Sequence, residues 1–316
     1  MPESPILLVP YMWIGDFVRC HTVVRLLNQR FPEHPIDVLT TSMVAPLLDY
    51  MPGVRTGVGV DLPRTWKSAL APALAGVPLR TGFVGEARFG LVNDLRFGER
   101  RLPRMVDRCA TLALPEGAEA PSQWPLPELK VSASELGAWR ERLGLALDGR
   151  PVVALAPGAV GPSKRWPAAY YADLAQRLAA EGTRVWVIGG PGEREIAAQI
   201  VRSDRGDIRD LTGPDLRNAI LALAAARTAV SNDSGLLHVA AALGTAAVGI
   251  FGPTSPWHWA PLNPIAAVIE TASRLPCRPC HKPVCHLGHH LCMRDISVDQ
   301  VGTAIRQATL TVPAAP

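Results

Sequence analysis

The chain has 316 residues, 48% hydrophobic and 19% charged, with a formal net charge of +4. That length accommodates two domains with separate cores, and that composition excludes a disordered chain. The mild positive balance suits an anionic small ligand or an anionic lipid surface and gives no sign of nucleic acid as a partner.

No apolar run reaches the 18 or so residues a bilayer-spanning helix needs. MPESPILLVP lacks a basic stretch followed by a long apolar core, so no signal peptide is expected and the chain reads as cytoplasmic. Six cysteines in that compartment are expected to be reduced or metal-bound rather than paired.

From the N-terminus, ILLVP (6–10) reads as a buried strand and Gly15 and Asp16 as the loop after it. Phe17, Cys20, Val24, Leu27 and Phe31 then recur on one helical face. IDVLT is a second strand and MVAPLLDYM a short helix. Residues 115–135 carry four prolines and form the best linker candidate. Beyond them, PVVALAPG, VWVIGG, IRDLTG, TAVS and AAVGIFG read as strands. They alternate with helices over 167–181, from Glu193, to about Ala226, and through SGLLHVAAAL. Strands separated by helices of this length imply parallel βαβ units. A last helix opens at Ser297 with Gln300 three residues on, a capping-box pattern. The expected organisation is an α/β protein of two doubly wound, Rossmann-like domains, 1–130 and 131–296, with a C-terminal helix and tail over 297–316. In such sheets ligands bind outside the carboxyl ends of the strands.

Three strand-to-helix turns of the second half carry the candidate chemistry. In SNDSG (231–235), Asp233 or Ser234 is placed to cap the next helix. The amides from Gly235 onward are first-turn donors that can receive an anion; an ordinary capped helix is the alternative. His238, one turn in, reads either as a satisfied core histidine or as part of the site. In PGAVGPSKRWP (157–167), Lys164 and Arg165 can clamp a diphosphate from the same sheet edge, or form a solvated pair. In GGPGERE (189–195), Glu193 can accept from ribose hydroxyls, or serve its own helix start.

In the first half, Asp16 is placed either as a general base or as a helix cap. Residues 80–108 hold seven arginines, Arg88 among them, against four acids, with Arg64 and Lys67 upstream. They suit an acidic acceptor or make a solvated face. Cys277, Cys280, Cys285 and Cys292, with histidines interspersed, open with a C-x2-C metal-ligand spacing whose later gaps fit no common zinc pattern. Either a metal site or a reduced loop fits. There is no G-x-G-x-x-G, no phosphate-binding G-x-x-x-x-G-K-[ST] and no D-x-D, so a diphosphate is expected to be neutralised by Lys, Arg and backbone amides, with no cofactor.

PGAVGPSKRWP, GGPGE, LTG (211–213) and NDSGLLHVAAAL, in that order, resemble the heptosyltransferases of lipopolysaccharide core assembly, glycosyltransferase family 9. TGFVGEARFGLVND (81–94) and IGD (14–16) point to the heptosyltransferase II subgroup. The resemblance covers nearly the whole chain. It implies a GT-B fold, with the active site in a cleft between the two domains. It implies ADP-L-glycero-D-manno-heptose as donor and the inner-core heptose of heptosyl-Kdo2-lipid A as acceptor. Transfer would be inverting and metal-free, with peripheral contact at the inner face of the inner membrane. Carried over by motif, Asp16 is the base and Lys164, with Arg165 beside it, holds the donor phosphates. Asp233, Ser234, Gly235 and Leu236 hold the heptose and diphosphate, with His238 close by, and Glu193 lies near the adenosine. Arg64, Lys67 and Arg88 face the acceptor.

The chain departs from the family pattern twice. Val60 runs straight into Asp61 where a further βα unit is usual, and PGAVGPSKRWP is about one residue short, which affects Ala159 and Val160. A nucleotide-sugar epimerase or hydrolase, or a non-catalytic binder, are the competing readings.

Overall fold

The computed structural model describes residues 4–59, 67–85, 88–145, 148–202 and 206–311. The chain divides into two compact units, 1–127 and 128–316. The boundary falls inside the proline-rich stretch.

The first unit opens with β1 (Ile6–Leu8), α1 (Ile14–Arg19), α2 (His21–Arg30) and β2 (Ile36–Thr40). A 3-10 turn over Ala45–Tyr50 and β3 (Thr56–Gly59) follow, then α3 (Lys67–Leu74), β4 (Thr81–Phe83), β5 (Asp94–Arg96) and α4 (Met105–Thr111). β1, β2 and β3 make one parallel sheet in that order, and β4 and β5 a separate parallel pair. The expected loop holding Gly15 and Asp16 is helical here, and the single helix predicted after it is divided at Cys20. The reason is local. Cys20 N–H reaches back to the carbonyls of both Asp16 and Phe17, a bifurcated closure typical of a helix end, while Val23 and Val24 N–H start again from Cys20 O. Cys20, Val23, Cys109 and Ala113 form a small core under this junction.

The second unit contains α5 (Ala133–Arg142), β6 (Val152–Ala156), α6 (Ala168–Ala180), β7 (Arg184–Val187), α7 (Arg194–Val201) and β8 (Ile208–Asp210). It continues with α8 (Leu216–Ala225), β9 (Thr228–Asn232), α9 (Gly235–Ala242), β10 (Ala246–Phe251), α10 (Pro256–Trp259), β11 (Ala266–Glu270), α11 (Leu291–Arg294) and α12 (Val298–Thr311). The six strands form one parallel sheet in the order β11-β10-β9-β6-β7-β8. β6, β9 and β10 are buried throughout, as strands covered by helices on both faces must be. One face is filled by Val153, Leu155, Val185, Val187, Val230, Val248 and Ile250 against Leu174, Leu178 and Ile200. Val301, Ile305 and Ala308 of α12 belong to the same core, so the C-terminal helix is part of the second unit and not a separate tail. The Ser297–Gln300 capping box forms as expected: Ser297 N–H donates to Gln300 Oε1 at 2.8 Å and Gln300 N–H to Ser297 Oγ at 3.2 Å.

The sequence runs outward from β6 through β7 to β8, then returns to β9 and runs the other way. The topological switch point of the sheet therefore lies between the carboxyl ends of β6 and β9, the position where open α/β sheets bind ligands.

Candidate functional site

Both strands at the switch point end in loops built from the predicted motifs. Asn232, the last residue of β9, is fully buried and joins them. Its Nδ2 donates to Pro157 O at 2.7 Å and its Oδ1 accepts from Trp166 N–H at 3.0 Å. One side chain thus fixes both ends of the Pro157–Trp166 loop, and its burial is compensated by those bonds.

Within that loop, Lys164 ends a 3-10 turn and places Nζ 2.7 Å from Asp233 Oδ2. Asp233 is nearly enclosed and Lys164 is half-buried. The same Oδ2 accepts from Thr254 Oγ1 at 2.8 Å, and Asp233 N–H donates to Ile250 O at 3.0 Å. The carboxylate is therefore held from the β10 side while it aims the ammonium. A negatively charged ligand at this point meets a cation whose position is already set.

α9 begins beside this pair. Ser234 is its N-cap residue but makes no side-chain cap bond. Ser234 Oγ instead lies 2.9 Å from Ser231 Oγ, and Asp233 is committed to Lys164 and Thr254. Neither expected capping interaction forms. The first-turn amides at Gly235 and Leu236 are left with no side-chain cap, at the positive end of the helix. His238 is buried one turn further in.

The remaining predicted residues take more structural roles. Arg165 Nε donates to Ala159 O at 3.1 Å, which ties this residue to its own loop. Val160 is exposed and Ala159 buried. Glu193 closes a 3-10 turn and accepts Gly190 N–H at 2.8 Å, the helix-start alternative for this residue. It also lies tight against the end of β6: a Cβ on Gly158 would stand 2.7 Å from Glu193 Cδ.

The Pro157–Trp166 loop is clamped from outside as well. Ser163 Oγ donates to Lys282 O at 2.5 Å, Ser163 N–H to Pro283 O at 3.1 Å, and His290 Nε2 lies 2.7 Å from Ser163 O. The strap that makes these contacts, residues 277–292, carries Cys277, Cys280, Cys285 and Cys292. Burial pushes the Cys292 thiol up to about 11. Cys285 is held below the ordinary thiol range by backbone N–H groups, that of His290 foremost, followed by those of Leu287, Gly288 and His289. Among the described residues, no group of three or more His, Cys, Asp or Glu side chains is arranged to hold a metal ion. All six cysteines are unpaired by disulfides.

In the first unit, Asp16 lies in the first turn of α1, buried, with Oδ1 2.6 Å from Arg19 Nη1. Arg88 is half-buried and its Nε approaches Gly85 O at 3.4 Å. Lys67 opens α3, and Arg64 lies outside the described residues, as does the Val60–Asp61 junction.

Sequence reasoning missed Thr254 and the purpose of Asn232. Thr254 follows β10 in FGPTSP, the same place after a strand as the three motifs that were recognised, and that position was the available signal. Asn232 lies inside SNDSG, where its type alone does not reveal the two long-range bonds it makes.

These features place the chain among the α/β glycosyltransferases of GT-B type. The solved structure of the ADP-heptose lipopolysaccharide heptosyltransferase II of Escherichia coli superposes with a TM-score of 0.85 at 32% identity, covering 97% of this chain and 99% of that one. The model of glycosyltransferase family 9 (heptosyltransferase) matches residues 54–291. The chain belongs to this family. It is 35% identical to lipopolysaccharide heptosyltransferase 2 of Escherichia coli K12 over 84% of this chain and 87% of that protein. It is 32% identical to lipooligosaccharide heptosyltransferase 2 of Haemophilus ducreyi over 96% and 98%. The Escherichia coli match extends over 305 aligned positions, more than 84% of a 316-residue chain can fill, so part of the relative has no counterpart here.

Proposed function

We propose that the protein transfers L-glycero-D-manno-heptose from ADP-heptose to the inner-core heptose of heptosyl-Kdo2-lipid A, with inversion and without a metal ion. The observation that carries this reading is the Lys164–Asp233–Thr254 arrangement beside the uncapped start of α9, at the switch point of the sheet. As the glycosidic bond breaks, the departing ADP gains negative charge. Donors already aimed at that position stabilise the transition state more than the bound ground state. Lys164 and the Gly235 and Leu236 amides supply them. Glu193 lies two strands across, on the adenosine side, where its remaining carboxylate capacity can take a ribose hydroxyl.

Asp16 takes the proton from the acceptor hydroxyl as that oxygen attacks the anomeric carbon. The Arg19 guanidinium at 2.6 Å orients the carboxylate for that step. Lys67 and Arg88, with Arg64, meet the carboxylates and phosphates of the acceptor. The acceptor's lipid anchor brings the enzyme to the inner face of the membrane; no described helix is long and apolar enough to cross it.

The test is transfer in the presence of EDTA, with purified protein, ADP-heptose and heptosyl-Kdo2-lipid A, followed by mass spectrometry. Gain of one heptose with release of ADP is expected. ADP release without acceptor would mark a hydrolase instead, and binding without either product a non-catalytic protein.

A further inference from the structure

Beyond Thr254, towards the β11 edge of the sheet, lies an open hollow of about 370 Å³ that neither the motifs nor the proposed donor contacts account for. Its walls are Thr254, Ser255, Pro256 and Trp257 from the start of α10, Glu270 from the end of β11, and Arg278 with Pro279 from the strap. The volume lies within the range of small-ligand pockets, roughly 300–1,000 Å³.

Trp257 is 61% exposed, whereas three other tryptophans of this unit, at 139, 166 and 186, are almost wholly enclosed. Its ring stands edge-on to that of His258, with centroids 4.6 Å apart, which restrains the indole without covering it. Arg278 is also set in place: Nε donates to Gly252 O at 2.5 Å and Nη2 to Glu270 Oε1 at 2.5 Å. An exposed aromatic platform beside a fixed guanidinium–carboxylate pair is the chemistry that recognises a pyranose. The apolar face of the ring lies on the indole, and its hydroxyls find both donors and acceptors.

Position supports the same occupant. A nucleoside diphosphate sugar joins nucleoside, diphosphate and sugar in that order. With its phosphates at Lys164 and its nucleoside on the Glu193 side, the sugar end has the Thr254 side of the sheet within reach, and Thr254 is shared between Asp233 and the hollow. We propose that this hollow is a saccharide subsite in which a sugar ring of the substrate stacks on Trp257. The inference rests on the glycosyltransferase reading for the identity of that sugar. The ring belongs either to the donor's heptose or to the acceptor glycan.

The chain has eight tryptophans, so the Trp257 signal is read as the fluorescence difference between wild type and Trp257→Phe. ADP, ADP-heptose and the delipidated acceptor oligosaccharide are titrated separately. ADP alone should leave the difference signal unchanged. One of the two sugar-bearing ligands should quench it, and which one does so identifies the ring. Trp257→Ala should raise the KM of that ligand about three- to tenfold, with Trp257→Phe recovering most of the loss and ADP affinity unchanged. If neither ligand quenches the signal and Trp257→Ala keeps wild-type KM for both, the subsite is overturned. A wild-type protein that shows the quench yet transfers no heptose overturns the transfer reading and leaves the subsite standing.

Discussion

β6 in the second unit is flanked by partners on both sides and is buried at all five positions. β3 in the first unit has one partner among the described residues and exposes three of its four residues. The contrast extends to what each unit carries. At the β6 and β9 ends, Asn232, Asp233 and Lys164 are fixed by bonds to three loops. In the first unit, Asp16 is held by its own short helix and by Arg19. A side chain at a strand end is placed as firmly as the strand beneath it. Leaving-group stabilisation, which depends on preorganised charge, is proposed for the unit with the continuous sheet. The base, which needs one carboxylate and one orienting partner, is proposed for the unit built from shorter pieces.

Substitutions that separate these two duties should have the largest effects. Asp16→Ala should lower kcat by about 10³, within the range for loss of a general base, and leave ADP binding intact. Lys164→Ala should lower kcat/KM for the donor by roughly 10² and weaken ADP binding with it. Steady-state kinetics and calorimetric titration with ADP check both. Wild-type turnover in Asp16→Ala would remove it as the base, and unchanged donor kinetics in Lys164→Ala would remove it from the site.

The packing contrast gives a smaller, structural effect. A Cβ on Gly249, in β10, would stand 2.7 Å from Leu237 Cδ2 and 3.0 Å from Phe251 Cε2, both fully buried. A Cβ on Gly57, in β3, would run into Leu48 Cδ1, the far end of a partly exposed side chain that can turn away. Gly249→Ala should cost about 1–3 kcal/mol through overpacking and Gly57→Ala less than about 1, read as shifts of the urea midpoint at constant slope. Equal shifts would show that the two sheets are equally rigid.

The smallest effect concerns acid. Burial pushes the Asp107 carboxyl upward, but bonds from Arg104 and from Trp124 Nε1, at 2.8 Å each, outweigh it and hold the group below the usual carboxylate range. A carboxylate with a depressed folded pKa stabilises the native state above its unfolded pKa of about 3.9 and loses that contribution as pH falls through the folded value. Asp107→Asn should therefore flatten the fall in stability of the first unit below about pH 4. Thermal unfolding from pH 3 to 7 measures it, and an unchanged acid slope would show that another carboxylate governs that range.

The long periodic elements were legible in the sequence. β6 and β10 are continuous apolar runs, β7 and β9 hold shorter apolar stretches, and the helices between them repeat every three to four residues. β3, β4 and β5 went unread because TGVG, TGF and DLR are too short and too polar or glycine-rich to register as strands. β11 was hidden by its position as an edge strand with alternating exposure behind a proline-rich loop. At the site, the motifs located Lys164 and Asp233, but not that they pair, because a bond between residues 69 apart is set by the sheet and leaves no local pattern. The same limit applies to Arg165 and Glu193. Their types suggested ligand contacts, and the backbone groups that occupy them are visible only once the loops are folded.

The grip of the strap on Ser163 bears on how this protein can be altered. Gly161, at φ +91°, runs so close to the strap that an added Cβ would stand 3.1 Å from Pro283 O. Segments 157–167 and 282–290, more than a hundred residues apart, therefore behave as one exchangeable module. A chimera that imports the loop from a relative with an extra residue must import the matching strap with it, or the added length will collide at Pro283.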